Sequence, residues 1–218
     1  MTDRETRLRA MVAQQITARG VRDRAVLAAM RVVPRDAFVD PAQAAFAYDD
    51  TPLPIGAGQT ISQPYVVAVM LEAARIGPLD TVLEIGAGSG YLAALISRMA
   101  RRVVAIERHQ TLADAARERL SRMGYHNVEI RAGDGTEGWP EAAPFDAILV
   151  SAGGPDVPPP LRRQMAIGGR LVMPIGDPGD QNLVRIIRTS PDGFEQDDLG
   201  PVRFVPLIGA HGWPSPDV

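Results

Sequence analysis

The chain has 218 residues, enough for one domain with a substantial core and short for two. Its net charge of −3, with 45% apolar and 22% charged residues, is that of an ordinary globular protein and offers no basic field for nucleic acid or anionic lipid. Cysteine is absent, which excludes disulfides, zinc–thiolate sites and cysteine nucleophiles, and the positive side chains other than His are all Arg.

The first residues, MTDRETRLRAMVAQQ, are charged and lack an apolar signal core. No apolar run is long enough to span a bilayer, so a cytoplasmic protein with no membrane partner is expected. Leu8, Met11, Val12 and Ile16 recur at helical spacing up to Gly20. Asp23 is a candidate N-cap for a second helix that ends at Pro34. Residues 34–56 are punctuated by proline and show little periodicity. A helical pattern returns over Gln63–Arg75 and breaks at Gly77 and Pro78.

An α/β alternation follows. Strands are predicted at TVLEIG (81–86), RVVAIE (102–107), VEIRAGD (128–134), FDAILVSA (145–152) and GRLVMPIG (169–176). Helices are predicted at YLAALISRMA (91–100), TLADAARERLSRMG (111–124) and PPLRRQMAI (159–167). Strands this apolar are buried on both faces, as parallel sheets are. After residue 176, two strand-like runs flank a turn at Ser190-Pro191-Asp192-Gly193, which predicts antiparallel strands at the sheet edge. The expected fold is α/β, a doubly wound and mostly parallel Rossmann-like sheet with N-terminal helices and antiparallel C-terminal strands. One domain is expected over 1–218. Its parts are a covering segment at 1–78, a cofactor-binding core at 79–176, and strands and tail at 177–218.

Gly86, Gly88 and Gly90 lie between a strand and a helix, where a tight turn lets a ligand approach backbone closely. The spacing is G-x-G-x-G, not the dinucleotide G-x-G-x-x-G, and Glu84 stands two residues ahead. An acid there suits a ligand with a cationic amino group and no pyrophosphate, the pattern of S-adenosylmethionine-dependent methyltransferases. Glu107 ends the second strand, where an acid accepts from a ribose diol and repels a 2′-phosphate. Asp134 ends the third and could accept from an adenine amino group, with Gly135 leaving room for the ring. Chance glycines and strand-end N-caps are the plain alternative. Three acids at the carboxyl ends of three successive strands argue against it.

The stretch AYDDTPLPIGAGQTISQPYVVA (47–68) carries more. Together with VLAAMRVVPRDAFV (26–39), VLEIGAGSGY (82–91), AIE (105–107), GDGTEGWPEAAPFDAILV (133–150), GGRLVMPIG (168–176) and VRFVPL (202–207), it resembles the protein-L-isoaspartate O-methyltransferase family over nearly the whole chain. G-x-x-T-I-S-x-P is the most specific part. The resemblance implies methyl transfer from S-adenosylmethionine, leaving S-adenosylhomocysteine, to the free α-carboxylate of L-isoaspartyl residues in damaged proteins and peptides. The ester then closes to a succinimide, and hydrolysis returns some aspartate. By the same resemblance Ser62 aligns with the active-site serine, while Gln59, Thr60 and Ile61 lie against the cofactor beside Glu84, Gly86, Ala87, Gly88, Glu107, Asp134 and Gly135. No metal or nucleic acid is implied, and a monomer is expected.

Read from the residues alone, Ser62 is a plain N-cap of the helix at 63–75. That helix N-terminus is itself a place where a carboxylate could settle. Asp49 and Asp50 could line the cleft or form a surface turn. The chain departs from the family's pattern at Thr136 and Glu137, at SAGGPDVP (151–158) and at Ile208. The tail GAHGWPSPDV either covers the site or frays. His109, His126 and His211 lack ligand spacing. A relative methylating ordinary aspartate in a peptide-modification pathway, a methyltransferase of another substrate class, and a non-catalytic module are the rival readings. An N-P-P-Y motif, which would favour the second, is missing.

Overall fold

A computed structural model describes residues 2–215. The N-terminal helix α1 (Asp3–Ala10) opens with a capping box between Thr2 and Glu5. Its turns loosen to π geometry over Met11–Ile16 and tighten to 3-10 over Thr17–Arg19, where Gly20 at φ 103° ends them. In α2 (Arg24–Met30) the Asp23 carboxylate accepts from the N–H groups of Ala25 and Val26, as its sequence suggested. Two 3-10 turns, Arg35–Phe38 and Pro41–Phe46, fill the proline-punctuated segment.

The next segment is more ordered than its sequence suggests. Leu53–Gly56 (β1) and Gln59–Ile61 (β2) pair as an antiparallel hairpin. Gly56, Ala57 and Gly58 all take positive φ, which supplies its turn. Helix α3 (Pro64–Ala74) follows at once, with proline in its first turn.

Seven strands form the main sheet, in the order β5-β4-β3-β6-β7-β8-β9. Thr81–Ile85 (β3), Arg102–Glu107 (β4), Val128–Ala132 (β5), Phe145–Val150 (β6) and Met165–Asp177 (β7) run parallel. Asp180–Arg188 (β8) and Phe194–Val202 (β9) add antiparallel at the edge. Helices α4 (Tyr91–Ser97), α5 (Gln110–Arg122) and α6 (Pro159–Gln164) make the crossovers. The sequence placed Met165–Ile167 in a helix; instead they open β7. Met165 is buried and pairs with Phe145, so sheet pairing overrides the helical pattern.

Alternate residues of each parallel strand face opposite cores. Val82, Val103, Ala105 and Leu149 join the N-terminal helices, α3, α4 and α5 in one core. Leu83, Val104, Ile148 and Val150 join Leu161 of α6 in the other. The connections run to opposite sides of the sheet from the adjacent strands β3 and β6, β3 leading to β4 and β6 to β7. In open α/β sheets the ligand crevice lies at the carboxyl ends of the strands flanking such a point.

Asp23→Ala removes the cap of α2 far from that crevice. It should cost about 1 kcal/mol, read as a lower urea midpoint at unchanged slope, with turnover intact.

Candidate active site

The glycine loop leaves β3 and turns back under β4. Gly86 and Gly88 take φ of 85° and 52°, which an L side chain rarely adopts. The N–H groups of Gly86 and Ala87 both donate to the Ile106 carbonyl, and that of Gly88 donates to Glu107 Oε2 at 2.8 Å. A pyrophosphate cradle needs such N–H groups free. Here the chain itself uses them, so the loop is a support for a ligand and not an anion nest.

Glu107 and Glu84 differ in what meets their charge. Glu107 also accepts from the His109 N–H at 3.0 Å. Its carboxylate is anchored, with lone pairs left for a diol. Glu84 is 1% exposed, and neither oxygen has a donor among the described residues. Burial, and then the neighbouring charge of Glu107, push its carboxyl well above the usual range. A buried carboxylate without donors calls for a cationic donor from a ligand. The α-amino group of S-adenosylmethionine is such a donor, so the residues present fit that cofactor.

One cleft gathers ten of the eleven site residues singled out in the sequence. Gln59, Thr60, Ile61 and Ser62 line one wall. Glu84, Gly86, Ala87 and Gly88 form the floor, and Glu107 and Gly135 the far end. Asp134 stands behind that end. Burial alone would raise its carboxyl, but donors from Ala210 N–H and from the hydroxyl and N–H of Thr136, with His211 nearby, hold it below the usual carboxylate range. Asp134 therefore ties the C-terminal segment to the β5 loop. Gly135 is needed for close packing more than for ring space: a Cβ there would lie 2.4 Å from Ile85 Cγ2.

That C-terminal segment is docked through Trp213. The Trp213 N–H donates to the Leu207 carbonyl, and its indole N–H donates to that of Gly153 at 3.1 Å. Leu207 and Ile208 line the cleft; the described part of the tail, residues 209–215, braces them through Trp213 and Asp134 without lining it, and residues 216–218 lie outside the described ones. Trp139 does not line it; its ring lies under Arg131, 4.1 Å from ring centre to guanidinium carbon. Sequence reasoning missed Tyr91, Ser151, Val205 and Leu207. For Ser151 there was a signal, a hydroxyl at the carboxyl end of the strand beside the reversal point.

Ser62 does not cap α3. The N-cap is Gln63, and the helical Tyr65 N–H donates to Asp50 Oδ1 at 3.1 Å. Asp50 Oδ2 also accepts from Gln63 Nε2 at 2.7 Å and Arg19 at 2.6 Å. The helix N-terminus thus holds an internal carboxylate, and the expectation that it receives the substrate's is corrected. The Ser62 hydroxyl makes no hydrogen bond to another described residue. Ser62 lines both the cofactor cleft and an adjoining groove, whose walls include Pro52, Val66, Gly179, Pro201, Arg203 and Phe204.

A dinucleotide would want the loop's N–H groups; this crevice wants a cation at its buried acid. The protein is of the S-adenosylmethionine-dependent methyltransferase class. Residues 6–212 match the family described as Protein-L-isoaspartate(D-aspartate) O-methyltransferase (PCMT), and the chain belongs to that family. Protein-L-isoaspartate O-methyltransferase 2 of Pelobacter propionicus is 55% identical over 214 residues, 98% of this chain and 95% of that one. Protein-L-isoaspartate O-methyltransferase 1 of Rhodopseudomonas palustris is 59% identical over 206 residues, 94% of this chain and 84% of that one. Among solved structures, a putative protein-L-isoaspartate O-methyltransferase of Plasmodium falciparum, in complex with S-adenosyl-L-homocysteine, superposes with a TM-score of 0.80. It is 26% identical, covering 95% of this chain and 99% of that one.

The raised pKa of Glu84 has a signed consequence. Without ligand, Glu84 keeps its proton in the folded protein above about pH 4.3, where the unfolded chain loses it, so the contribution of this group to stability falls as pH rises from there. Glu84→Gln removes this slope. Its thermal midpoint should gain on the parent's as pH is raised above the unfolded carboxyl value of about 4.3, while stabilisation by S-adenosylhomocysteine shrinks. Gly135→Ala should cost about 1–3 kcal/mol through overpacking and weaken S-adenosylhomocysteine binding in a calorimetric titration.

Proposed function

We propose that this protein methylates the free α-carboxylate of L-isoaspartyl residues in damaged proteins and peptides, and so begins their repair. The observation that carries the reading is a junction. Thr60, Ser62, Ser151 and Val205 line both the cofactor cleft and the adjoining groove, so the two meet at three hydroxyl side chains.

The acceptor carboxylate is already ionised near neutral pH, so no base is required to create the nucleophile. S-adenosylmethionine supplies a methyl carbon made electrophilic by its sulfonium. What remains for the chain is alignment and removal of water. Ser62, whose hydroxyl is free, orients the carboxylate at the junction. Glu84 holds the cofactor's amino group and Glu107 its ribose diol. Gln59, Thr60 and Ile61 flank it, Gly86, Ala87 and Gly88 let it approach the backbone, and Asp134 and Gly135 bound the adenine end. Leu207 and Ile208 exclude water from above. The methyl ester leaves the protein; the backbone amide nitrogen that follows then attacks the ester carbonyl, expels methanol and closes a succinimide, and hydrolysis returns some aspartate.

The groove receives the substrate as an extended peptide. Recognition rests on backbone and carboxylate, because isoaspartyl sites arise in many sequences. We read the protein as a single-domain monomer, since one chain lines the whole cleft. A cytoplasmic setting suits a chain without cysteine. A net charge of −3 gives no reason to expect nucleic acid or membrane partners. Among the described residues no helix is long and apolar enough to cross a membrane.

Paired peptides that differ only in isoaspartyl or aspartyl linkage test the substrate. Methyl transfer should be confined to the isoaspartyl member; equal transfer to both would point to ordinary carboxylates. Ser62→Ala should lower kcat about a hundredfold while the thermal midpoint stays near that of the parent. Small, matched losses in both would leave Ser62 without a role in orientation.

A further inference from the structure

Arg35 has no exposed surface, and the two terminal nitrogens of its guanidinium donate to backbone carbonyls, while its Nε–H meets no acceptor among the described residues. One nitrogen donates to Ala47 O; the other donates to Thr51 O at 3.1 Å and to Ser62 O at 3.0 Å. We propose that Arg35 and Asp50 are positioning residues, which together hold the Ile61–Tyr65 turn so that the Ser62 hydroxyl stands at the junction of the two clefts. The inference rests on the reading of Ser62 given above.

The two residues grip the turn from opposite ends. Arg35 fixes the carbonyl of Ser62 itself. Asp50 fixes the Tyr65 N–H three residues on, and the Gln63 side chain between them. The other carbonyls that Arg35 binds belong to Ala47 and Thr51, which flank Asp50 in sequence. Segment 47–51 and turn 61–65 therefore form one closed frame. Within it the Ser62 backbone is bound and its hydroxyl is free. Arg35 also stands 6.0 Å from the ring centre of Tyr91, whose side chain lines the cofactor cleft, so the frame abuts both sites.

Stability alone is a poor reason for this arrangement. Burial lowers the pKa of Arg35, and the nearby phenol of Tyr91 and the carboxylates of Asp50 and Asp49 only partly counter that cost. A buried cation of this kind is commonly no more stabilising than well-packed apolar side chains. What a guanidinium adds is geometry: a rigid planar fork can reach three carbonyls in fixed directions, and a lysine ammonium cannot.

The test is a set of double-mutant cycles. Arg35→Lys keeps the charge and loses the fork. Asp50→Ala, at a partly exposed site, removes the other grip and decides the matter if the Arg35 variant does not fold. Each is made alone and with Ser62→Ala. Readouts are kcat on an isoaspartyl peptide at saturating S-adenosylmethionine, calorimetric affinity for S-adenosylhomocysteine, and the thermal midpoint. Each single variant should lower kcat tenfold or more while S-adenosylhomocysteine affinity stays within about threefold. In the Ser62→Ala background the same changes should alter kcat less than twofold, because the group they aim is gone. If their full factors persist in that background, or if kcat per folded molecule is unchanged in the single variants, the positioning role is overturned. Should Ser62→Ala by itself leave turnover intact, the Ser62 reading falls first and takes this inference with it.

Discussion

One short turn, Ile61 to Tyr65, has to face two clefts at once, and much of the N-terminal third of the chain is arranged to keep it there. On the incoming side β2 pairs with β1, exposing Thr60 and burying Ile61. On the outgoing side Pro64 starts α3 with a preset φ and no N–H to satisfy. Between these anchors the backbone is held at Ser62 O and Tyr65 N by side chains from a separate segment. A serine that capped its own helix would have its hydroxyl turned into the backbone. Passing the capping task to Asp50 is what leaves Ser62 with a hydroxyl to use.

The second organising contrast lies in the sheet. Glu84 and Glu107 sit at the carboxyl ends of neighbouring strands, and each is buried. Among the described residues two N–H groups meet Glu107, and none meets Glu84. The first carboxylate is therefore built in, whereas the second awaits an outside cation. A site made this way distinguishes its ligand by charge before shape. A pyrophosphate finds neither free N–H groups nor a positive field at the loop, and an ammonium finds an acid whose desolvation it relieves.

Much of this was legible in the sequence because strand periodicity, glycine spacing and strand-end acids are local signals. The five parallel strands fall within a few residues of their predicted places, except where Met165–Ile167 joined β7 instead of a helix. The β1–β2 hairpin was not seen: its strands are only four and three residues long, and a Gly-Ala-Gly turn does not announce positive φ at the alanine. Ser62 invited an N-cap reading because capping is normally supplied by the adjacent residue. Asp50 does it from 15 residues away in sequence, which no local pattern reveals. Arg35 looked like one arginine among many, since burial is a property of the packed chain. Asp134 read as an acceptor for an adenine amino group, but it stands outside the cleft, and the contacts that occupy its carboxylate depend on a tail 76 residues further on.

The internal carboxylate at the start of α3 also bears on rate. As the oxygen–carbon bond forms, the acceptor's negative charge is consumed, so any group that binds the full charge strongly stabilises the ground state more than the transition state. A free helix N-terminus or a paired guanidinium would be such a group. In this structure the Tyr65 N–H is already spent on Asp50 and two nitrogens of the buried Arg35 guanidinium on carbonyls, so the donors at the junction itself are the neutral hydroxyls of Thr60, Ser62 and Ser151, while the exposed Arg203 lines the groove beyond them. Neutral donors orient a carboxylate at a fraction of the charge-assisted energy. On the proposed reading, the frame around the turn therefore does two things with the same bonds: it aims Ser62, and it keeps the Tyr65 N–H and the Arg35 guanidinium from quenching the nucleophile.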